Sequence, residues 1–412
     1  MMSAEIQEGN EIKIRRDGVF YEGRVMPSSR DFLIIKLRNG YNVGLRIDDS
    51  LEILEKRSRE KRSKKRAKRR NSGGDTVSIL GTGGTIASYV DYSTGAVHPA
   101  KSTSDLLSYI PEIEDVANVR ARILFSVLSE DLKPKHWKLL AQEVKNELDG
   151  GCKGVVITHG TDTMSYTASA LAFMLRELSG PVVLTGAQRS TDRPSSDGFL
   201  NLLFSTRAAL SDLGEVVLAM HDSPTDDRVV LHRACRTRKM HSSARGAFKS
   251  IDAHEVGYVT PKEVYLGPHR RRGGKTVLDD KFDDRVGLIH SYPGLESDAF
   301  ESFLERLNGL VISGTGLGHC GTSILDSIRG AVDEGKPIVM TSQCIYGTVD
   351  LNVYSRGREL LTAGAIPVDM LPETAMVKLG WVLGHTRDMS GIKNMMLKDM
   401  AGEFIERRFA NG

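Results

Sequence analysis

Three short stretches carry hydroxyl and carboxylate side chains that could do nucleophilic chemistry. GTGGTIAS (residues 81–88) sets Thr85 behind a run of glycines, and THGTDTM (158–164) carries Thr161, Asp162 and Thr163. SEDLKP (129–134) carries Ser129, Glu130 and Asp131. A threonine hydroxyl is a weak nucleophile until a base takes its proton. A lysine is such a base when burial or a neighbouring charge lowers its pKa, and Asp162 could hold that lysine as the third group of a triad does. Glycines around Thr85 would let backbone N–H groups approach a substrate oxygen closely. Composition alone does not pick the lysine. Each piece also has a purely structural explanation: a tight turn, a helix cap at Thr161, a solvated surface lysine. Three such loops behind successive strands are harder to explain in that way.

Other chemistries lose ground on spacing. Gly81-Thr82-Gly83-Gly84 looks dinucleotide-like, but the third required glycine falls on Ile86. GGKT at 273–276 resembles the end of a phosphate loop whose first glycine would be His269, and HEVGY at 254–258 lacks the second histidine of a zinc helix. No Gly-x-Ser-x-Gly elbow occurs.

The reactive loops need elements to position them. From Thr76 the pattern is strand, turn, helix: VSIL leads into Gly81, ILFSVL into Ser129, KGVVIT into His159, and PVVLTG and EVVLAM follow. Such β-branched runs suit buried parallel strands. Trp137, Leu140, Ala141, Val144 and Leu148 recur at helix spacing and stop before Gly150-Gly151, and a second helix is predicted from Thr163 to Leu178. The alternation predicts a parallel sheet with helices on both faces, whose ligands bind at the carboxyl ends of the strands, where the three loops lie. After the polar stretch 268–284 the alternation resumes, with a helix predicted over Ser323 to Asp333. The expected organisation is a small β-barrel (1–55), a basic linker (56–75), a larger α/β domain (76–270) and a smaller one (285–412). In the barrel EIKIRR, VFYEGRVM, DFLIIKLR, YNVGLRI and LEIL read as strands, with tight turns at Asp17-Gly18 and Asn39-Gly40.

The 412 residues suit two or three domains at about 100–200 residues each. The net charge of +3 hides one intense segment: KRSREKRSKKRAKRR (56–70) holds eleven Lys/Arg against one Glu. It reads as a self-repelling linker or as a contact for phosphate backbone. No apolar stretch approaches the ~18 residues of a membrane helix, and the first residues show no secretion leader. Cys152, Cys235, Cys320 and Cys344 lack paired metal or dithiol spacing. The expectation is a cytoplasmic protein with reduced thiols.

GTGGTIAS and THGTDTM together resemble the two signature motifs of the asparaginase/glutaminase family, in the right order and each behind a strand. The resemblance covers roughly residues 76–400 and implies a two-domain, asparaginase-like parallel-sheet core. RKMHSSA (238–244) is similar to the segment that carries that family's catalytic lysine, and YSTGAVHP (92–99) to its mobile loop. Position by position, the resemblance implies Thr85 as nucleophile, Thr161, Asp162 and Lys239 as a second triad, and Tyr92 closing over the substrate. Ser129 and Glu130 would hold the α-carboxylate and α-amino groups of the donor, with Asp162 also reaching the amine. Glu130 stands where bacterial members commonly have glutamine.

A barrel and basic run ahead of that core resemble the amide-hydrolysing subunits of tRNA-dependent amidotransferases. That resemblance implies a heterodimeric partner subunit, which uses ATP and Mg²⁺ to convert Glu-tRNA(Gln) to Gln-tRNA(Gln) with ammonia taken from glutamine or asparagine. No cofactor or metal is expected on this chain, and a homodimeric core is. A free-standing cytosolic asparaginase and a nucleic-acid-binding protein with a degenerate fold are the competing readings. Intact Thr85, Thr161, Asp162 and Lys239 weigh against the degenerate fold, and the barrel and linker against the free-standing enzyme.

Overall fold

The computed structural model describes residues 10–26, 31–37, 42–57, 74–84, 88–91, 96–99, 112–189, 196–223 and 225–404. Strands Glu11–Arg16, Val19–Val25, Phe32–Leu37, Asn42–Arg46 and Leu51–Arg57 form one antiparallel sheet, with the last strand pairing back onto the first. Alternate residues Ile12, Ile14, Leu33, Ile35, Leu45 and Leu51 point into its own small core. The Asp17-Gly18 turn has positive φ at both residues (50° and 78°), the backbone that a two-residue hairpin of matching twist requires. The fifth strand reaches Arg57, two residues into the basic run; the rest of that run and Asn39-Gly40 lie outside the described residues.

Five parallel strands form one side of the next sheet, from its edge inwards Asn118–Ile123, Thr76–Gly81, Gly154–Thr158, Val182–Thr185 and Val216–His221. Val155, Val156 and Ile157 are all fully buried, as strands covered on both faces must be. Three short antiparallel strands, Val229–Arg233, Gly257–Val259 and Val264–Leu266, extend this sheet, so it is mixed at one side. Two predicted elements end early. The strand expected to run through ILFSVL stops at Ile123, and 124–128 continue as irregular chain held by Leu124 N–H to Gly81 O and Val127 N–H to Thr82 O. The helix expected to reach Leu178 is Met164–Met174, because Leu175–Arg176 pair with Val277–Leu278.

The smaller domain has a four-stranded parallel sheet: Val286–His290, Gly309–Gly314, Ile338–Ser342 and Ile366–Pro367. Its predicted helix begins at Leu325, after a 3₁₀ turn at Thr322–Ile324. The helix Pro372–Leu383 packs on Met164–Met174, with Phe173 and Trp381 stacked 6.3 Å apart, and one apolar core runs through both domains. A wholly buried Lys378–Glu403 ion pair ties the last described segment to that helix. Lys378 Nζ also donates to the Met396 and Lys398 carbonyls, and Glu403 accepts from the Met400 and Ala401 N–H groups.

Candidate active site

The carboxyl ends of the central strands approach one another closely. Thr82 N–H and Oγ1–H both donate to Thr158 O (3.1 and 2.9 Å). Past them, Gly84 (φ +83°) lies against the next loop so tightly that a Cβ there would sit 2.5 Å from the Gly160 nitrogen. A Cβ on Gly160 would in turn lie 2.8 Å from the Ser129 Cβ. Thr163 Oγ1–H donates to Ser129 O at 2.7 Å, joining the second and third loops. The three motifs thus meet around Gly84, Gly160 and Ser129, as strand ends of a parallel sheet allow.

Lys239 reaches this point from the short strand Thr237–Lys239, paired with Phe248–Ser250. Its Nζ donates to Thr161 Oγ1 at 2.9 Å and to Asp162 Oδ1 at 2.8 Å. The lysine side chain is 12 % exposed and that of Asp162 is 67 %, so the trio has one face in the protein and one in solvent. Ser129 is buried within the 3₁₀ turn Ser129–Asp131, and its Oγ–H donates to Glu130 Oε2 at 3.3 Å. Thr85 and Tyr92 lie outside the described residues, although Gly84, on which Thr85 follows, is in place.

Two arginines, given no role by sequence reasoning, support Lys239 from behind. Arg236 is buried, and its guanidinium donates to the carbonyls of Ile251 (3.0 Å), Asp369 (3.3 Å) and Glu403 (3.4 Å). Arg238 faces Glu373 across the domain boundary at 3.7 Å. Burial pushes the Glu373 carboxyl up, and the Arg238 charge opposes it. His159, also missed, lies wholly buried between Thr158 and Gly160, where burial brings its pKa down to about 4. A histidine flanked by threonine and glycine gives no sequence sign of its depth; only its place next to a strand end hinted at a role.

Among the described residues no group of three or more His, Cys, Asp or Glu is placed to hold a metal ion, and no helix is long and apolar enough to cross a membrane. A cavity of about 510 Å³ lined by Leu175, Arg176, Glu215, Arg270, Arg271 and Met400 includes none of the trio.

Comparison with known proteins agrees with this geometry. The family described as "Asparaginase, N-terminal" matches residues 76–271, "Glutaminase/Asparaginase C-terminal domain" matches 285–396, and "GatD N-terminal domain" matches 6–54. The D subunit of glutamyl-tRNA(Gln) amidotransferase from Thermococcus kodakarensis is 49% identical over 406 residues, 95% of this chain and 92% of that protein. Its counterpart from Saccharolobus solfataricus, of the same name, is 45% identical, covering 99% of this chain and 95% of its own. Among solved structures, the thermostable L-asparaginase from Thermococcus kodakarensis superposes with a TM-score of 0.74 at 34% identity, over 81% of this chain and 100% of that one. With its small five-stranded N-terminal sheet, its two asparaginase-type domains and this degree of identity, the chain belongs to the family of glutamyl-tRNA(Gln) amidotransferase D subunits.

Proposed function

We propose that this chain hydrolyses the side-chain amide of glutamine or asparagine and delivers the ammonia to a partner subunit. The observation that carries the reading is Lys239 Nζ held between Thr161 Oγ1 and Asp162 Oδ1 at hydrogen-bond distance from each. Thr85 Oγ attacks the amide carbon, aided by Tyr92. The C–N bond breaks as the nitrogen gains a proton and leaves as ammonia, and a threonine ester remains. Water, relieved of a proton by the Thr161–Lys239–Asp162 relay, attacks the ester and frees the acid and Thr85. Ser129, Glu130 and Asp162 hold the donor's α-carboxylate and α-amino groups.

The partner activates the glutamate of Glu-tRNA(Gln) with ATP and Mg²⁺, groups we assign to that subunit, and ammonia completes the amide. A homodimeric core and a cytoplasmic setting belong to the same proposal. Thr85→Ala and Lys239→Ala, assayed in the complex, test it. Donor-dependent ammonia release should fall at least a hundredfold in both (about 10²–10⁴ for a nucleophile or base), while added ammonium still supports tRNA amidation. Wild-type donor hydrolysis in Thr85→Ala refutes the assignment; loss of both activities reports failed assembly.

A further inference from the structure

The His159 imidazole bridges two groups: its Nδ1 lies 2.6 Å from Gly160 O and its Nε2 lies 2.9 Å from Thr167 Oγ1. Thr167 Oγ1 also accepts the Trp137 indole N–H at 3.0 Å. All three side chains are buried. An indole nitrogen only donates and a carbonyl only accepts, so the network admits one direction of donation. Trp137 gives its proton to Thr167, Thr167 gives its own to His159 Nε2, and His159 Nδ1–H goes to Gly160 O. The tautomer follows from these partners, and the neutral ring accords with the low pKa that burial imposes.

Gly160 O is one end of a peptide unit whose other end is the Thr161 N–H. In a trans peptide those two groups point in opposite directions. Drawing the carbonyl towards His159 therefore turns the Thr161 N–H away from the imidazole, on the residue whose hydroxyl meets Lys239. Attack on an amide needs fixed donors for the oxygen that becomes negative. We propose that His159 is a positioning residue, which through its Nδ1–H bond to Gly160 O fixes the Gly160–Thr161 peptide so that the Thr161 N–H serves the reacting carbonyl oxygen. The proposal rests on the amide-hydrolysis reading above and names a part of its machinery that touches no substrate.

Two substitutions separate this role from mere packing. His159→Asn keeps an N–H near the Nδ1 position and drops the link to Thr167, whereas His159→Gln keeps a polar group near Nε2 and drops the donor to Gly160 O. In the purified complex, His159→Asn should retain kcat for donor hydrolysis within about fivefold. His159→Gln should lose about 10²-fold, the scale of one oxyanion donor, with KM for the donor changed less than threefold. Thr167→Val removes the partner of Nε2 but leaves the Nδ1–H bond to Gly160 O, the only one the carbonyl permits, so it should keep kcat within about fivefold as His159→Asn does. Equal kcat in the Asn and Gln variants at similar melting temperature, or wild-type kcat in His159→Gln, overturns the proposal. Retained donor hydrolysis in Thr85→Ala instead overturns the underlying reaction, so the two failures are distinct.

Discussion

Gly84→Ala measures how much the reaction depends on the contact between the first two loops. The new Cβ would sit 2.5 Å from the Gly160 nitrogen and 2.7 Å from its Cα, both backbone atoms, where ordinary contact begins at 3.4 Å. Backbone cannot swing aside as a side-chain tip does, so one loop must move by about 1 Å, a displacement that can reduce turnover about 10²-fold. The φ of +83° adds strain for any side chain, about 1–2 kcal/mol, and overpacking adds about 1–3 kcal/mol. The sum is about 2–5 kcal/mol, or a melting temperature lower by about 4–20 °C at roughly 2–4 °C per kcal/mol for a domain of this size. Gly151→Ala is the control. Gly151 has a similar φ of +88°, but nothing lies within 4 Å of its added Cβ. It follows the helix Pro134–Asp149 at the other end of the sheet, so it should show the strain alone and full activity. Donor-dependent ammonia release and thermal melts of both variants give the comparison. If Gly84→Ala matches Gly151→Ala in turnover and melting temperature, the loops are not held together as described.

Stability should fall in mild acid, because His159 and His232 are buried and burial brings their pKa values down to about 4 and about 3. Near the ordinary value of about 6.5 the unfolded chain begins to bind two protons that the native one refuses. The contribution is complete above that pH and is lost as pH falls towards 4, by about 1.4 kcal/mol per unit for each ring; a denaturation midpoint constant from pH 6.5 to 4.5 contradicts this. Lys378→Met should cost about 3–5 kcal/mol by stranding Glu403, and adding Glu403→Gln should recover most of it; an undiminished deficit in the double variant counts against the ion pair. Serine in place of the lysines and arginines of Lys64–Arg70 should weaken tRNA binding and flatten its salt dependence, whereas unchanged affinity and slope mark the run as a linker.

Thr161 and Asp162 were readable because they follow the unmistakable β-branched run GVVIT, whereas Lys239 ends the short strand Thr237–Lys239, which has no such run. Lys239 lies 77 and 78 residues from them in sequence, and the motif resemblance joined the three before any distance was known. Elsewhere the pattern was too short or too remote. Gly257–Val259 and Val264–Leu266 have three residues each, below the length at which alternation shows. The end of the helix at Met174 depends on Val277–Leu278, about a hundred residues later, so nothing local marks it. Nothing local marks the burial of Arg236, which depends on one carbonyl 15 residues away and on two that lie 133 and 167 residues further along.

Those carbonyls also set an order in time. A chain is made from its N-terminus, and the Asp369 and Glu403 carbonyls emerge 133 and 167 residues after Arg236. At about 5–20 residues per second the longer gap lasts roughly 8–33 s. Through that interval a guanidinium bound for the interior lacks two of its acceptors, and burying it would be costly. Until the smaller domain has been made and its final segment has returned, the strand that begins at Thr237 and presents Lys239 lacks that part of its support. A nascent or prematurely ended chain therefore carries both threonine motifs and their lysine without the arginine's full set of acceptors behind them.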